Sequence, residues 1–126
     1  METILVVDDE KNYLLVLSAV LEEEGYEVLT TASGLEALEI LKASDVDLVL
    51  TDMKMPGMDG IELLEQIKTR DPELPVVMMT AHGTVDKAVE AMQKGAYTYI
   101  LKPFDNERLT LYVQKAIATY KVVREN

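Results

Sequence analysis

The sequence predicts a doubly wound α/β fold, and two observations carry that prediction. Five short runs rich in aliphatic and β-branched residues, Ile4–Val7, Val28–Thr31, Leu48–Thr51, Val76–Thr80 and Tyr97–Leu101, alternate with segments of helical period, which is the pattern of a parallel sheet covered by helices on both faces. Four of these runs stop on polar residues of different chemical kinds: Asp8 with Asp9, then Asp52, Thr80 and Lys102. Strands of a parallel sheet end along one edge, and open α/β sheets bind ligands in the crevice outside that edge.

The elements follow in order. Ile4–Val7 is apolar throughout, as a strand buried on both faces must be. Leu14, Leu17, Ser18 and Leu21 fall at i, i+3, i+4 and i+7 and predict a first helix over roughly 11–24, stopped by Gly25 before Tyr26. Leu35, Leu38 and Leu41 mark the second helix, and Ile61, Leu64 and Ile67 the third. Val85, Ala88, Val89 and Met92 mark the fourth, and Leu109, Val113, Ala116, Ile117 and Tyr120 the fifth. Residues 53–60, Met-Lys-Met-Pro-Gly-Met-Asp-Gly, break both periodicities and predict a loop framing the pocket. Right-handed crossovers leave few topologies, and the flavodoxin-like order 2-1-3-4-5 sets strands one and three side by side, with Asp8, Asp9 and Asp52 at the switch point.

A chain of 126 residues suits one domain, 1–126, with a single core. No apolar stretch approaches the roughly 20 residues that span a bilayer, and Met1-Glu2-Thr3-Ile4 enters a strand pattern without a basic and apolar leader; a cytoplasmic protein is expected. Cysteine is absent, which removes disulfides, thiolate metal sites and thiol nucleophiles. A formal charge of −11 argues against nucleic-acid contact by this segment, since phosphate neutralisation needs clustered Lys and Arg. Glu22, Glu23 and Glu24 read as a solvated helix face, and the seven methionines as gap fillers in the core.

Three carboxylates brought together repel, and a hard dication is the expected remedy. Mg²⁺ takes oxygen ligands, and Asp9, Asp52 and a backbone carbonyl just after Asp52, that of Lys54, are the candidates. His82 stands alone without a cysteine, which disfavours a softer metal; it is expected at the site edge, tuning access to the phosphate. Asp52, alone at its strand end, is the candidate nucleophile toward a phosphoryl group. Positive charge from Mg²⁺ and Lys102 would neutralise the phosphoryl oxygens, with Thr80 donating its hydroxyl to one of them. Other readings compete. Asp8 and Asp9 could merely cap the first helix, and Tyr99 could be an ordinary strand aromatic. A Mg²⁺-dependent phosphatase also uses an Asp nucleophile, but it wants a second Asp where Lys54 stands, and no cap domain fits in this length. A phosphorylation-independent interaction module is the other alternative.

Val6-Val7-Asp8-Asp9-Glu10, Thr51-Asp52-Met53, Met55-Pro56-Gly57-Met58-Asp59-Gly60, Thr80-Ala81 and Lys102-Pro103-Phe104 together resemble the receiver domain of two-component response regulators over nearly the whole chain. The resemblance implies that a sensor histidine kinase donates a phosphoryl group to Asp52 and that Asp8 with Asp9 holds Mg²⁺. It implies family roles for Thr80 and Lys102, a cis Lys102-Pro103 bond, and an aromatic switch at Tyr99 that turns inward as Thr80 is drawn toward the phosphate. The signalling face would be helix four, strand five and helix five, and the domain would be regulatory, catalysing only its own phosphoryl uptake and loss. Thr80-Ala81-His82-Gly83 with Ala88-Val89-Glu90-Ala91-Met92 is most similar to receivers of sigma-54-dependent, nitrogen-regulatory-type transcription activators. In those proteins an ATPase domain and a DNA-binding domain follow the receiver. Residues 119–126 resemble the start of the connecting helix, and a phosphorylation-dependent homodimer is implied by analogy. Thr98 stands where many of that group carry Asp, a difference that touches no site residue.

Overall fold

The computed structural model describes residues 1–81 and 85–125. Strands and helices alternate from end to end: β1 (Thr3–Val7), α1 (Lys11–Glu23), β2 (Glu27–Thr31), α2 (Gly34–Ala43), β3 (Leu48–Asp52), α3 (Gly60–Arg70), β4 (Val76–Thr80), α4 (Val85–Gln93), β5 (Thr98–Leu101) and α5 (Asn106–Glu125). The strands form one parallel sheet in the order β2-β1-β3-β4-β5. The doubly wound order expected from the sequence is the one observed, and strand limits differ from the expected ones by at most a single residue.

Every residue of β1, β3 and β4 is buried, because helices cover both faces of the three central strands. On one face Leu17 and Leu21 of α1 and Leu109, Val113, Ala116 and Ile117 of α5 pack against Ile4, Val6, Leu48, Leu50, Val77 and Met79. On the other, α2, α3 and α4 meet Leu5, Val7, Val49, Val76 and Met78. Each strand therefore splits its side chains between the two faces, as its period of two requires, and the sheet divides the single core expected from the length into two layers.

Leu38, Leu41 and Ala88 face the core as expected, but α2 and α4 turn part of the expected stripe outward. Leu35 is 64% exposed while Ala37 is wholly buried, and on α4 Val89 and Met92 are exposed while Ala88 and Ala91 are buried. Small side chains let these helices approach the sheet closely, so alanine takes the inner position and the larger apolar residue turns outward. Met53, Met55, Met78 and Met79 are buried as gap fillers, whereas Met1 and Met92 are exposed.

Candidate functional site

Register brings the polar strand ends together. Val7 pairs with Thr51, Asp52 with Met79, and Thr80 with Leu101, so Asp8, Asp52, Thr80 and Lys102 lie along the carboxyl edge of four adjacent strands. The turns after the strands are held by main-chain bonds: Asp8 N–H donates to the Thr31 carbonyl (3.1 Å), Met53 N–H to Met79 (2.9 Å) and Lys102 N–H to Thr80 (2.8 Å).

The loop 53–59 reaches α3 through a close approach. Gly60 N–H donates to the Met53 carbonyl at 2.9 Å, and a Cβ at Gly60 would stand 2.3 Å from the Asp52 carbonyl oxygen. Only glycine fits there. Gly57, at φ +76°, provides the turn within the loop. Asp59 and Glu62 then close a capping box, with Asp59 Oδ1 accepting from Glu62 N–H at 2.9 Å, and fix the start of α3.

Lys102 joins the two buried carboxylates. Its Nζ lies 2.8 Å from Asp8 Oδ2 and 3.4 Å from Asp52 Oδ2. Asp8 is wholly buried, and the side chains of Asp52 and Lys102 are about a tenth exposed. Burial pushes the Asp52 carboxyl above the usual range; the Asp8 charge adds to that, and Lys102 pulls against it. Burial also works against the Lys102 ammonium, but the Asp8 hydrogen bond and the charges of Asp52 and Asp8 outweigh it and raise its pKa. One ammonium facing two buried carboxylates leaves the cluster negative.

The donor set suits a hard divalent cation. Asp8, Asp9 and Glu10 each bring a carboxylate oxygen within 4.8 Å of the others, and all of these donors are oxygen. Asp9 and Glu10 are exposed and Asp8 is buried, so the group opens outward from the Asp8–Asp52–Lys102 cluster. The capping alternative fails: α1 has Glu10 as its N-cap without a side-chain bond, and Asp8 Oδ1 instead accepts from the Glu10 N–H at 2.9 Å. Lys54 is exposed beside a shallow cavity lined by Met53, Met55, Asp59, Ile61 and Lys87.

Thr80 is buried at the end of β4, and its hydroxyl donates to the Ala81 carbonyl at 3.3 Å. Tyr99 lies apart from the cluster, 37% exposed on edge strand β5. The Lys102-Pro103 bond is cis. His82 lies outside the described residues. Three neighbours received no role in the sequence reading: Glu10, which completes the acidic group; Tyr13, whose ring centroid is 4.0 Å from Lys102 Nζ; and Phe104, whose ring lies 5.9 Å from that of Tyr13. Tyr13 stands in the first turn of α1, just after the acidic turn, which is the one sequence signal that places it near the site.

Comparison with known proteins gives a consistent picture. Residues 4–114 match the response regulator receiver domain model. The chain is 47% identical over 115 residues to the transcriptional regulatory protein ZraR of Klebsiella oxytoca, covering 91% of this chain and 26% of that protein. It is 44% identical over 114 residues to the sporulation initiation phosphotransferase F of Bacillus subtilis, covering 90% of this chain and 92% of that one. Among solved structures, a response regulator receiver domain protein from Clostridium thermocellum superposes with a TM-score of 0.93 at 38% identity over 98% of this chain and 99% of the other. The beryllofluoride-activated NtrC4 receiver domain, solved as a dimer, does so with 0.90 at 41% identity over 95% and 99%. The chain spans about a quarter of the length of the transcriptional regulators it matches.

Proposed function

The chain belongs to the response regulator receiver domain family, and we propose that its Asp52 accepts a phosphoryl group from the phosphohistidine of a sensor histidine kinase. The observation that carries this reading is the bridge of Lys102 between buried Asp8 and Asp52 at the carboxyl edge of the sheet. A carboxylate oxygen of Asp52 forms the new O–P bond as the N–P bond breaks, and the imidazole nitrogen leaves with the electron pair and takes up a proton. The Lys102 ammonium meets a phosphoryl oxygen where charge develops, and the Thr80 hydroxyl donates to another. Asp8, Asp9, Asp52 and the main-chain carbonyl of Lys54 would hold Mg²⁺, which when bound supplies further neutralisation of the phosphoryl oxygens. Phosphatase chemistry draws no support, since Lys54 is an exposed cation where that reaction wants a carboxylic acid.

The phosphoryl group adds a dianion at one end of β3, and charge-assisted contacts to Thr80 and Lys102 favour one arrangement of the ends of β4 and β5. Tyr99 then turns inward. The outward apolar side chains of α4, β5 and α5, Val89, Met92, Tyr99, Leu101 and Leu111, form the surface that this change remodels, suited to a phosphorylation-dependent homodimer. Where an output domain follows, the output is transcriptional, through ATPase and DNA-binding domains, with residues 119–126 beginning the connecting helix; Asn126 lies outside the described residues. No described helix is long and apolar enough to cross a membrane, in keeping with a cytoplasmic regulator, and the domain turns over no substrate beyond its own phosphoryl group. Intact-mass spectrometry after exposure to a small acyl phosphate, with and without Mg²⁺, tests the reading. One added phosphoryl group on the wild type and none on Asp52→Asn is expected; undiminished labelling of the variant would sink the assignment.

A further inference from the structure

We infer that Tyr13 is a positioning residue for Lys102, and through it for phosphoryl transfer at Asp52; this rests on the function proposed above. An ammonium has three N–H donors and no acceptor. Lys102 Nζ meets Asp8 Oδ2 at 2.8 Å and Asp52 Oδ2 at 3.4 Å, and the Tyr13 ring covers it from another side, with its centroid 4.0 Å away. The negative face of an aromatic ring attracts a cation within roughly 6 Å, more strongly where water is excluded. The Lys102 side chain is only 8% exposed, so the ring takes a place that water would otherwise fill.

Local structure delivers the ring with the carboxylates. Asp8, Asp9 and Glu10 form the turn out of β1, and Tyr13 stands in the first turn of α1, its N–H donating to the Glu10 carbonyl at 3.1 Å. Phe104 lies 5.9 Å away at an interplanar angle of 47° and backs the ring. Phe104 is two residues after Lys102, so the segments bearing the lysine and the tyrosine touch twice. Packing alone would account for a half-buried tyrosine in the α1–α5 core. It would not call for the ring face to lie over an ammonium that already serves two carboxylates.

The chemistry of the ring fits the lysine's task. A third carboxylate in its place would deepen the negative charge that Asp8 and Asp52 already give the cluster and repel the phosphoryl group. The ring holds the ammonium and adds no negative charge to the cluster that the phosphoryl oxygens must approach. A cation–π contact is also less directional than a hydrogen bond, so it persists as Lys102 exchanges a carboxylate oxygen for a phosphoryl oxygen.

Phosphoryl uptake from a small acyl phosphate, timed by intact-mass spectrometry with Mg²⁺ present, tests the inference in Tyr13→Leu and Tyr13→Phe, each alone and combined with Lys102→Ala. The expected result is a fall of about three- to tenfold for Tyr13→Leu, recovery to within about twofold for Tyr13→Phe, and no further loss from Tyr13→Leu once Lys102 is alanine. Equal losses in the leucine and phenylalanine variants, or a loss that persists without Lys102, would overturn it. A wild type that takes up phosphate no faster than Tyr13→Leu overturns this inference alone, whereas a wild type that takes up none overturns the functional reading and this inference with it. NMR of the wild type gives a readout independent of whether a variant folds. The Lys102 ε-methylene protons should be displaced upfield by the ring current, and random-coil positions for them would also overturn the inference.

Discussion

Burial withholds water from Asp52, and the charge of Asp8 adds to the effect, so its carboxyl is held above the usual range although Lys102 is close. For an acid whose pKa is raised in the folded state, protonation favours folding. That contribution is present in full below the ordinary carboxylate value and is lost as pH rises through the raised one. At neutral pH the ionised Asp52 therefore opposes folding. Asp52→Asn, assayed by thermal unfolding in chelator, should be more stable than wild type at pH 7, and the gap should shrink as pH falls through the carboxylate range; a wild type at least as stable at pH 7 would contradict the burial argument. Lys102 acts in the opposite sense. Its removal leaves Asp8, wholly buried, without its ammonium, and breaking one side of a buried pair is costly. Lys102→Ala should unfold at lower temperature yet still take up some phosphoryl group, while the conformational response, followed by NMR shifts of Thr80 and Tyr99, is impaired. An unimpaired response would remove Lys102 from the switch.

Elements were legible in the sequence wherever one physical rule acted alone. β1, β3 and β4 are buried on both faces, so apolar content marked them directly, and their polar ends marked the edge where the site lies. Asp8, Asp52 and Lys102, the three groups now in contact, were each found by that rule. Leu38 and Leu41 of α2 and Ala88 of α4 face the core as expected, whereas Leu35, Val89 and Met92 were misplaced because periodicity read from large side chains cannot tell a core face from an exposed one. Ala88 and Ala91 face the sheet while Val89 and Met92 face out, one position away along the helix. Tyr13 escaped notice, and Phe104 was read only as part of a motif, because the contact of Tyr13 with Lys102 and of Phe104 with Tyr13 exists only once α1 and the segment after β5 are packed together. Glycine was clearer, because Gly60 breaks a pattern at a defined place. A Cβ there would lie 2.3 Å from the Asp52 carbonyl oxygen and 2.8 Å from Met53 Cα, both backbone atoms that cannot swing aside. Gly60→Ala should cost about 2–3 kcal/mol in urea unfolding and displace Asp52 enough to slow phosphoryl uptake. A stability within about 0.5 kcal/mol of wild type would mean that the loop yields freely.

At the scale of the whole molecule the charge is −11, and the acidic group of Asp8, Asp9 and Glu10 adds to that field at the mouth of the site. Two effects of added Mg²⁺ must be told apart. Any salt screens a net charge, and at about 0.1 M monovalent salt the Debye length is already about 10 Å, so a few millimolar more divalent salt changes diffuse screening little. A bound ion acts by mass action on the folded state. At ten times its dissociation constant it contributes about 1.4 kcal/mol, a rise in unfolding temperature of about 4–8 °C for a domain of this size. In a background of about 0.1 M NaCl, Mg²⁺ should therefore raise the unfolding temperature saturably, and further NaCl of equal ionic strength should not. The discriminating variant is Asp9→Asn: Asp9 is exposed, so its change leaves the two cores intact while removing one charged ligand. The Mg²⁺-dependent rise should shrink to less than half in that variant. Equal rises in both proteins would mean that the ion is gathered by the acidic surface at large, and the proposed ligand role of Asp9 would fall.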